Sequence, residues 1–186
     1  WFREVKKLNP IISTYLQVVL LTGARREEIL MLRWEDVNFK WATVSIPDKV
    51  SGRRKIPLTP YVNYLIQRLP RVNEWVFSST TAKDGHLVEP TKAHIKAQIA
   101  AGLNHVTIHG LRRSFGSLAE WLELPLGVVY QIMGHKPSAT AEKHYRHRPI
   151  DLLKIWHTKF ETWILEQANI QPPALTSNTV AFRVIP

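Results

Sequence analysis

The hydrophobic period of this chain changes once, at residues 42–58, and that change limits the folds open to it. Ala42-Thr43-Val44-Ser45-Ile46 alternates apolar and polar side chains as a half-buried strand does. Asp48-Lys49-Val50-Ser51-Gly52 is turn-like, and Arg53-Arg54-Lys55-Ile56-Pro57-Leu58 alternates again. The pattern predicts an antiparallel hairpin with a basic tip and a basic second strand. Glu74-Trp75-Val76-Phe77 is a short apolar run that could add a third strand.

Elsewhere the apolar positions recur at helical spacing. Pro10 is allowed at a helix start, and Ile11 to Thr22 reads as a buried helix punctuated by Gly23. Arg25 to Arg33 resumes the periodicity, with Ile29, Leu30 and Leu32 as its apolar stripe. Further helices are expected at Tyr61–Leu69 after Thr59-Pro60, from Pro90 to about Ala101, and at Leu111–Trp121 with Leu111, Phe115 and Leu118 inward. Another runs from Pro125 through Met133, ended by Gly134. Ser138 or Thr140 could cap a short helix containing Tyr145, and a last helix follows Pro149 from Ile150 to Glu166. The expected class is α+β, mainly α-helical: a helical domain with a small three-stranded antiparallel sheet. Residues 1–9 read as a basic leader and Gln167 to Pro186 as an extended tail.

Charge narrows the partners. The 186 residues carry 25 Lys+Arg against 15 Asp+Glu, a formal charge of +10. Such a bias points to an anionic partner, most simply nucleic acid. With no cysteine, disulfides, thiolate nucleophiles and cysteine-based zinc sites are excluded. The chain fits a reducing cytoplasm, and no apolar run is long enough to span a bilayer. It begins at Trp1 without a methionine, as expected of a piece of a longer protein.

Five short features bear on chemistry. In Thr107-Ile108-His109-Gly110-Leu111-Arg112-Arg113, His109 and Arg112 stand at i and i+3 near a helix start, where anions are favoured. They form an anion-facing pair or a solvated helix face. In Thr22-Gly23-Ala24-Arg25-Arg26-Glu27-Glu28, Glu28 is placed to hold the Arg25 guanidinium, or to form an exposed ion pair with it. Lys49 stands at the hairpin tip, where lysines are usually just solvated. His135 follows a helix end in Met133-Gly134-His135-Lys136. Tyr145 lies in His144-Tyr145-Arg146-His147, polar company that suits a core tyrosine poorly. Two arginines, two histidines, a lysine and a tyrosine are what metal-free phosphoryl transfer needs. Arginines bind phosphate oxygens bidentately and stabilise the charge that develops in the transition state.

Taken in order, TGARREEILMLRW, the hairpin IPDKVSGRRKIPL, HGLRRSF, MGH and the tyrosine of TAEKHYRH resemble the catalytic domain of the tyrosine recombinases, the phage integrase family. The resemblance runs from about Thr22 to His147 and implies a site-specific DNA recombinase that cleaves and rejoins duplex DNA through a 3′-phosphotyrosyl intermediate, without metal, ATP or other cofactor. It assigns Arg25 and Arg112 as clamp arginines and Glu28 as the acid supporting Arg25. Lys49 becomes the general acid towards the leaving 5′ oxygen, His109 the assistant to proton transfer, His135 a donor to a non-bridging oxygen, and Tyr145 the nucleophile. Lys49 competes for its role with Lys55, Arg53 and Arg54. Arg53, Arg54, Lys55, Arg113, Lys136 and Arg146 are expected among the duplex contacts.

The resemblance further implies double-stranded DNA as partner, a homo-tetramer on DNA, and a place in the bacterial cytoplasm at the nucleoid, with no membrane. Residues 1–167 would form the catalytic domain and 168–186 a tail able to dock on a neighbouring protomer, with DNA-binding N-terminal domains outside this fragment. Two rival readings are a type IB topoisomerase, which rotates strands instead of exchanging them, and a DNA-binding relative without catalysis.

Overall fold

The computed structural model describes residues 1–48, 52–135 and 147–171. Lys49, Lys136, Tyr145, Arg146 and the tail beyond residue 171 lie outside the described residues.

The expected basic leader is part of the fold. It contains a short helix, α1 (Phe2–Val5), which buries Phe2 and Val5. The Asn9 side chain accepts from the Ile11 N–H at 2.9 Å and Pro10 fills the first position of α2 (Pro10–Thr22). Every residue of α2 from Ser13 to Thr22 is buried, so this helix is wrapped on all sides rather than on one stripe. Gly23 ends it in the left-handed conformation (φ 58°). A side chain there would put its first carbon 2.5 Å from the Phe115 ring, so the turn needs glycine for space as well as for φ.

α3 is shorter than the periodicity predicts: it runs Arg26–Leu30 and stops. Leu32 is taken instead by pairing, its carbonyl accepting from the Val76 N–H at 2.9 Å. The sheet has the order β1-β2-β3, with β1 (Val37–Asn38), β2 (Thr43–Asp48) and β3 (Gly52–Pro57) all antiparallel. The third strand is therefore Val37–Asn38 and not Glu74–Phe77. Trp75, Val76 and Phe77 are buried, but the run joins no strand of the sheet: it makes an isolated Arg33–Trp75 bridge, and the Phe77 carbonyl accepts from the Leu87 N–H at 2.7 Å. Its apolar character reports burial and not sheet membership. Within the hairpin, Val44 opposes Ile56 and Ile46 opposes Arg54. Side chains alternate across a strand, so Arg54 shares the inward face with Val44, Ile46 and Ile56, while Arg53 and Lys55 project outward.

The other helices are α4 (Pro60–Gln67), α5 (Thr91–Ala100), α6 (Ile108–Trp121), α7 (Leu126–Met133) and α8 (Ile150–Gln167). α6 packs on α2 through Phe115, which also meets Phe160 of α8 at a ring distance of 4.4 Å. Glu161 of α8 reaches the start of α4. Its carboxylate accepts from the Tyr61 N–H (2.7 Å), the Val62 N–H (3.1 Å) and the Thr59 hydroxyl. One distant side chain thus satisfies N–H groups that a helix start leaves unpaired. Burial pushes its pKa up, and these three donors oppose the shift.

His157 is fully buried, its Nε2 2.8 Å from the Leu21 carbonyl and its ring edge-on to Phe115. Burial pushes its pKa down to about 4, while the contact to Leu21 opposes the shift; the ring is neutral and donates from Nε2. An unfolded chain would accept a proton at this histidine near pH 6.5, before the native state does. Stability from this site is therefore full above about pH 6.5 and drains as pH falls towards 4, by about 3 kcal/mol in all. His94, also depressed to about 4 by burial, acts with the same sign. Urea denaturation at pH 7 and pH 4.5 should show the loss, and His157→Gln should flatten part of it.

Candidate active site

The site is assembled from three chain reversals. At the first, Gly23 ends α2 and the extended Arg25 (φ −69°, ψ 144°) opens α3. Glu28, one turn on, accepts from the Arg25 backbone N–H at 2.8 Å and from its guanidinium at 2.7 Å. Arg25 is thus held at backbone and head group by one carboxylate, and Nη2 donates to the Gly134 carbonyl at 3.0 Å.

At the second, Thr107 caps α6, its hydroxyl accepting from the Gly110 N–H at 2.9 Å. This phases the helix so that Arg112 is buried, at 4% exposure, while Arg113 and His109 are exposed. Arg112 Nη1 donates to the carbonyls of Gly23 (2.5 Å) and Met133 (2.8 Å). No described residue accepts from its Nε or Nη2. Burial first, then the Arg25 and Arg54 charges, push its pKa down to about 10, against the pull of Glu28; it is a cation at neutral pH.

At the third, Gly134 ends α7 in the left-handed conformation (φ 68°) and delivers His135. Desolvation and then Arg112, Arg25 and Arg54 push the His135 pKa below the ordinary imidazole value. The ring is therefore neutral at pH 7 and still carries one N–H to donate.

Arg25, His109, Arg112 and His135, four of the six groups singled out in the sequence, line one pocket of about 340 Å³ together with Arg26 and Glu27. Lys49 and Tyr145 lie outside the described residues, as do Lys136 and Arg146. The span that carries Tyr145 is nevertheless anchored at both ends to α7. It leaves at His135, whose N–H donates to the Tyr130 carbonyl at 2.9 Å. It returns at Arg148, whose backbone N–H and carbonyl both pair with the Gln131 amide at 2.9 Å.

Arg53 and Lys55 project from the outer face of the hairpin and are exposed, Arg53 pairing with Asp36. Arg54, expected as a duplex contact, is turned inward. Its guanidinium pairs with both oxygens of Glu28 at 3.0 and 2.8 Å, and its side chain is 8% exposed. Its basic neighbours suggest a surface contact, although period-two alternation puts it on the face of the buried Ile56. Burial pushes the Glu28 pKa up, but the hydrogen bonds and charge of Arg54, with those of Arg25, outweigh it and hold Glu28 below the usual carboxylate range. Three guanidiniums around one carboxylate leave positive charge in excess beside the pocket. Such an arrangement can bind a phosphate and stabilise charge developing on its oxygens. Among the described residues no group of three or more His, Cys, Asp or Glu side chains could hold a metal ion.

A model of the phage integrase family matches residues 4–149. Over 178 residues, 91% of its length, the chain is 60% identical to prophage integrase IntF of Escherichia coli (strain K12), and it spans 38% of that relative. Its fold is similar to the integrase from mycobacterium phage Brujita, with a TM-score of 0.69 at 20% identity over 85% of this chain and 55% of that one. A lambda integrase tetramer bound to a Holliday junction superposes with a TM-score of 0.59 at 17% identity, over 74% of this chain and 44% of that one.

Proposed function

The chain belongs to the phage integrase family, and on that premise we propose that it is the catalytic part of a site-specific recombinase that cuts and rejoins duplex DNA. The observation that carries the reading is the convergence of Arg25, Arg112, His109 and His135 on one pocket, with Glu28 turned back to brace Arg25.

A scissile phosphate enters this pocket. Arg112, through Nε and Nη2, and Arg25 bind its non-bridging oxygens, and the neutral His135 donates a further N–H. The Tyr145 hydroxyl attacks phosphorus and loses its proton with the help of His109. The phosphorus–O5′ bond breaks, and Lys49 protonates the departing 5′ oxygen. A 3′-phosphotyrosyl link replaces one phosphodiester, and the 5′-hydroxyl of a partner strand reverses the step. One phosphodiester is exchanged for another, so the reaction needs neither ATP nor a metal. Losing one donor of this kind costs about 10²–10³ in rate.

The exposed basic residues Arg53, Lys55 and Arg113 hold the duplex by its phosphates, with Lys136 and Arg146 contributing from outside the described residues. On DNA the protein works as a homo-tetramer, in keeping with its likeness to a lambda integrase tetramer on a Holliday junction. Residues 1–167 are the catalytic unit, residues 168–186 dock on a neighbouring protomer, and target-reading N-terminal domains lie in the longer protein.

The deciding experiment is incubation with a nicked suicide duplex carrying the element's own crossover site, read on a denaturing gel. A covalent protein–DNA adduct is expected, undiminished by EDTA and without ATP. No adduct would leave a DNA-binding protein only, and an adduct abolished by EDTA would sink the metal-free mechanism. Relaxation of supercoiled plasmid without any joint product would favour strand rotation, as in a type IB topoisomerase.

A further inference from the structure

We infer that Arg54 is a positioning residue for this chemistry, acting through Glu28 on Arg25 and fastening the hairpin to the end of α7. The inference rests on the recombinase reading of the pocket and concerns a side chain that the mechanism does not itself use.

Arg54 makes four kinds of contact that no surface phosphate-binding arginine would make. Its two terminal nitrogens fork onto both oxygens of Glu28 at 3.0 and 2.8 Å. Its Nε donates to the Ile132 carbonyl at 3.3 Å, and Nη1 also reaches the Pro47 carbonyl at 3.3 Å. Packed against Gly134, it fills the space a side chain would need: a carbon added there would stand 2.7 Å from the guanidinium. The left-handed turn before His135 is therefore glycine for its φ of 68° and for the room that Arg54 occupies.

Glu28 cannot do its task alone. Its carboxylate must stay ionised while buried, at 8% exposure, to hold Arg25. The charged groups around it are Arg25 at the start of α3, Arg54 on β3 and Arg112 on α6. Of these only Arg25 and Arg54 touch it, and Arg25 is the group to be positioned. Arg54 is the fixed partner, planar and permanently charged, and a lysine could not reproduce its two-pronged grip. Take it away and burial raises the Glu28 pKa, the carboxyl gains a proton, and Arg25 loses its brace as pH falls.

The test is single-turnover adduct formation on the nicked suicide duplex, from about pH 5.5 to about 8.5, for wild type, Arg54→Met and Arg54→Lys, with ¹³C-carboxyl NMR titration of Glu28 alongside. Arg54→Met should slow cleavage about 10²-fold near pH 6, as misplacement of a reacting group does. Its rate should climb with pH along the Glu28 titration, which moves up relative to wild type. Arg54→Lys should recover part of the rate and remove the pH dependence. If Arg54→Met does not fold, the lysine variant carries the test, since it must still fall below wild type by about fivefold or more. A rate within twofold of wild type overturns the inference. So does an equal loss at every pH with Glu28 titrating as in wild type, which would be plain destabilisation. Absence of an adduct from wild type would remove the recombinase reading, and the Glu28 titration would still judge whether Arg54 holds it ionised.

Discussion

Arg112→Gln should lose covalent adduct formation by about 10²–10³-fold or more, while its affinity for the duplex stays within a few-fold of wild type. Arg113→Ala should do the reverse: cleavage at saturating DNA is kept, and the salt slope of binding falls by about one. The two arginines are neighbours in sequence but differ by a third of a helical turn. Thr107 sets the start of α6, and with it which arginine is buried at 4% exposure and which faces solvent. Arg112 is seated by the carbonyls of Gly23 and Met133, at the ends of two different helices, so its remaining N–H groups are aimed before substrate arrives. A preorganised donor of this kind acts where charge develops and adds little to gripping DNA. Adduct yield on suicide duplex and filter binding at several salt concentrations separate the two effects. If Arg113→Ala is the variant that loses cleavage, the assignment of the clamp to Arg112 is wrong.

The second large effect is expected at Tyr145, where Tyr145→Phe should form no adduct at all. A phenyl ring has no oxygen to offer, so unlike loss of a clamp arginine this leaves no residual pathway through the same intermediate. The hydroxyl of tyrosine is a poor nucleophile at its ordinary pKa of about 10, and a cation beside such a phenol favours its ionised form. Tyr145 stands three positions before Arg148, which the Gln131 amide fixes to α7, and three steps of chain reach about 10 Å at most. An adduct that persists in Tyr145→Phe, mapped by mass spectrometry to another residue, would remove the nucleophile assignment.

Most of the helices and the hairpin were legible because burial writes itself into period. α2, α6, α7 and α8 each follow an apolar repeat and end or begin at Gly23, Thr107, Gly134 or Pro149. The pair His109 and Arg112 was legible from i,i+3 spacing, and Glu28 from its distance to Arg25. Three things were not. The third strand is Val37–Asn38, two residues long and too short to show alternation, whereas the louder apolar residues Trp75, Val76 and Phe77 are buried outside the sheet. The first residues look like a charged leader because their packing rests on scattered side chains, Phe2 and Val5 buried and Trp1 and Leu8 partly so. Arg54 hid among three consecutive basic residues, where charge suggested a surface and strand parity pointed to the interior. A carboxylate 26 positions away in the chain neutralises it, and local pattern carries no record of that.

Gly23, Met133 and Gly134 lend their carbonyls, at the C-terminal ends of α2 and α7, as seats for Arg112 and Arg25. Helix ends of this kind carry partial negative charge, which adds to the formal charge of Glu28 and lets guanidiniums crowd together. The crowding remains repulsive, and folding has to hold it in place. An anion that settles among these groups relieves the repulsion, and any ligand confined to the native state raises the free energy of unfolding by RT ln(1 + [L]/Kd). Grip on a phosphate and cohesion of the domain are therefore one thermodynamic quantity seen from two ends.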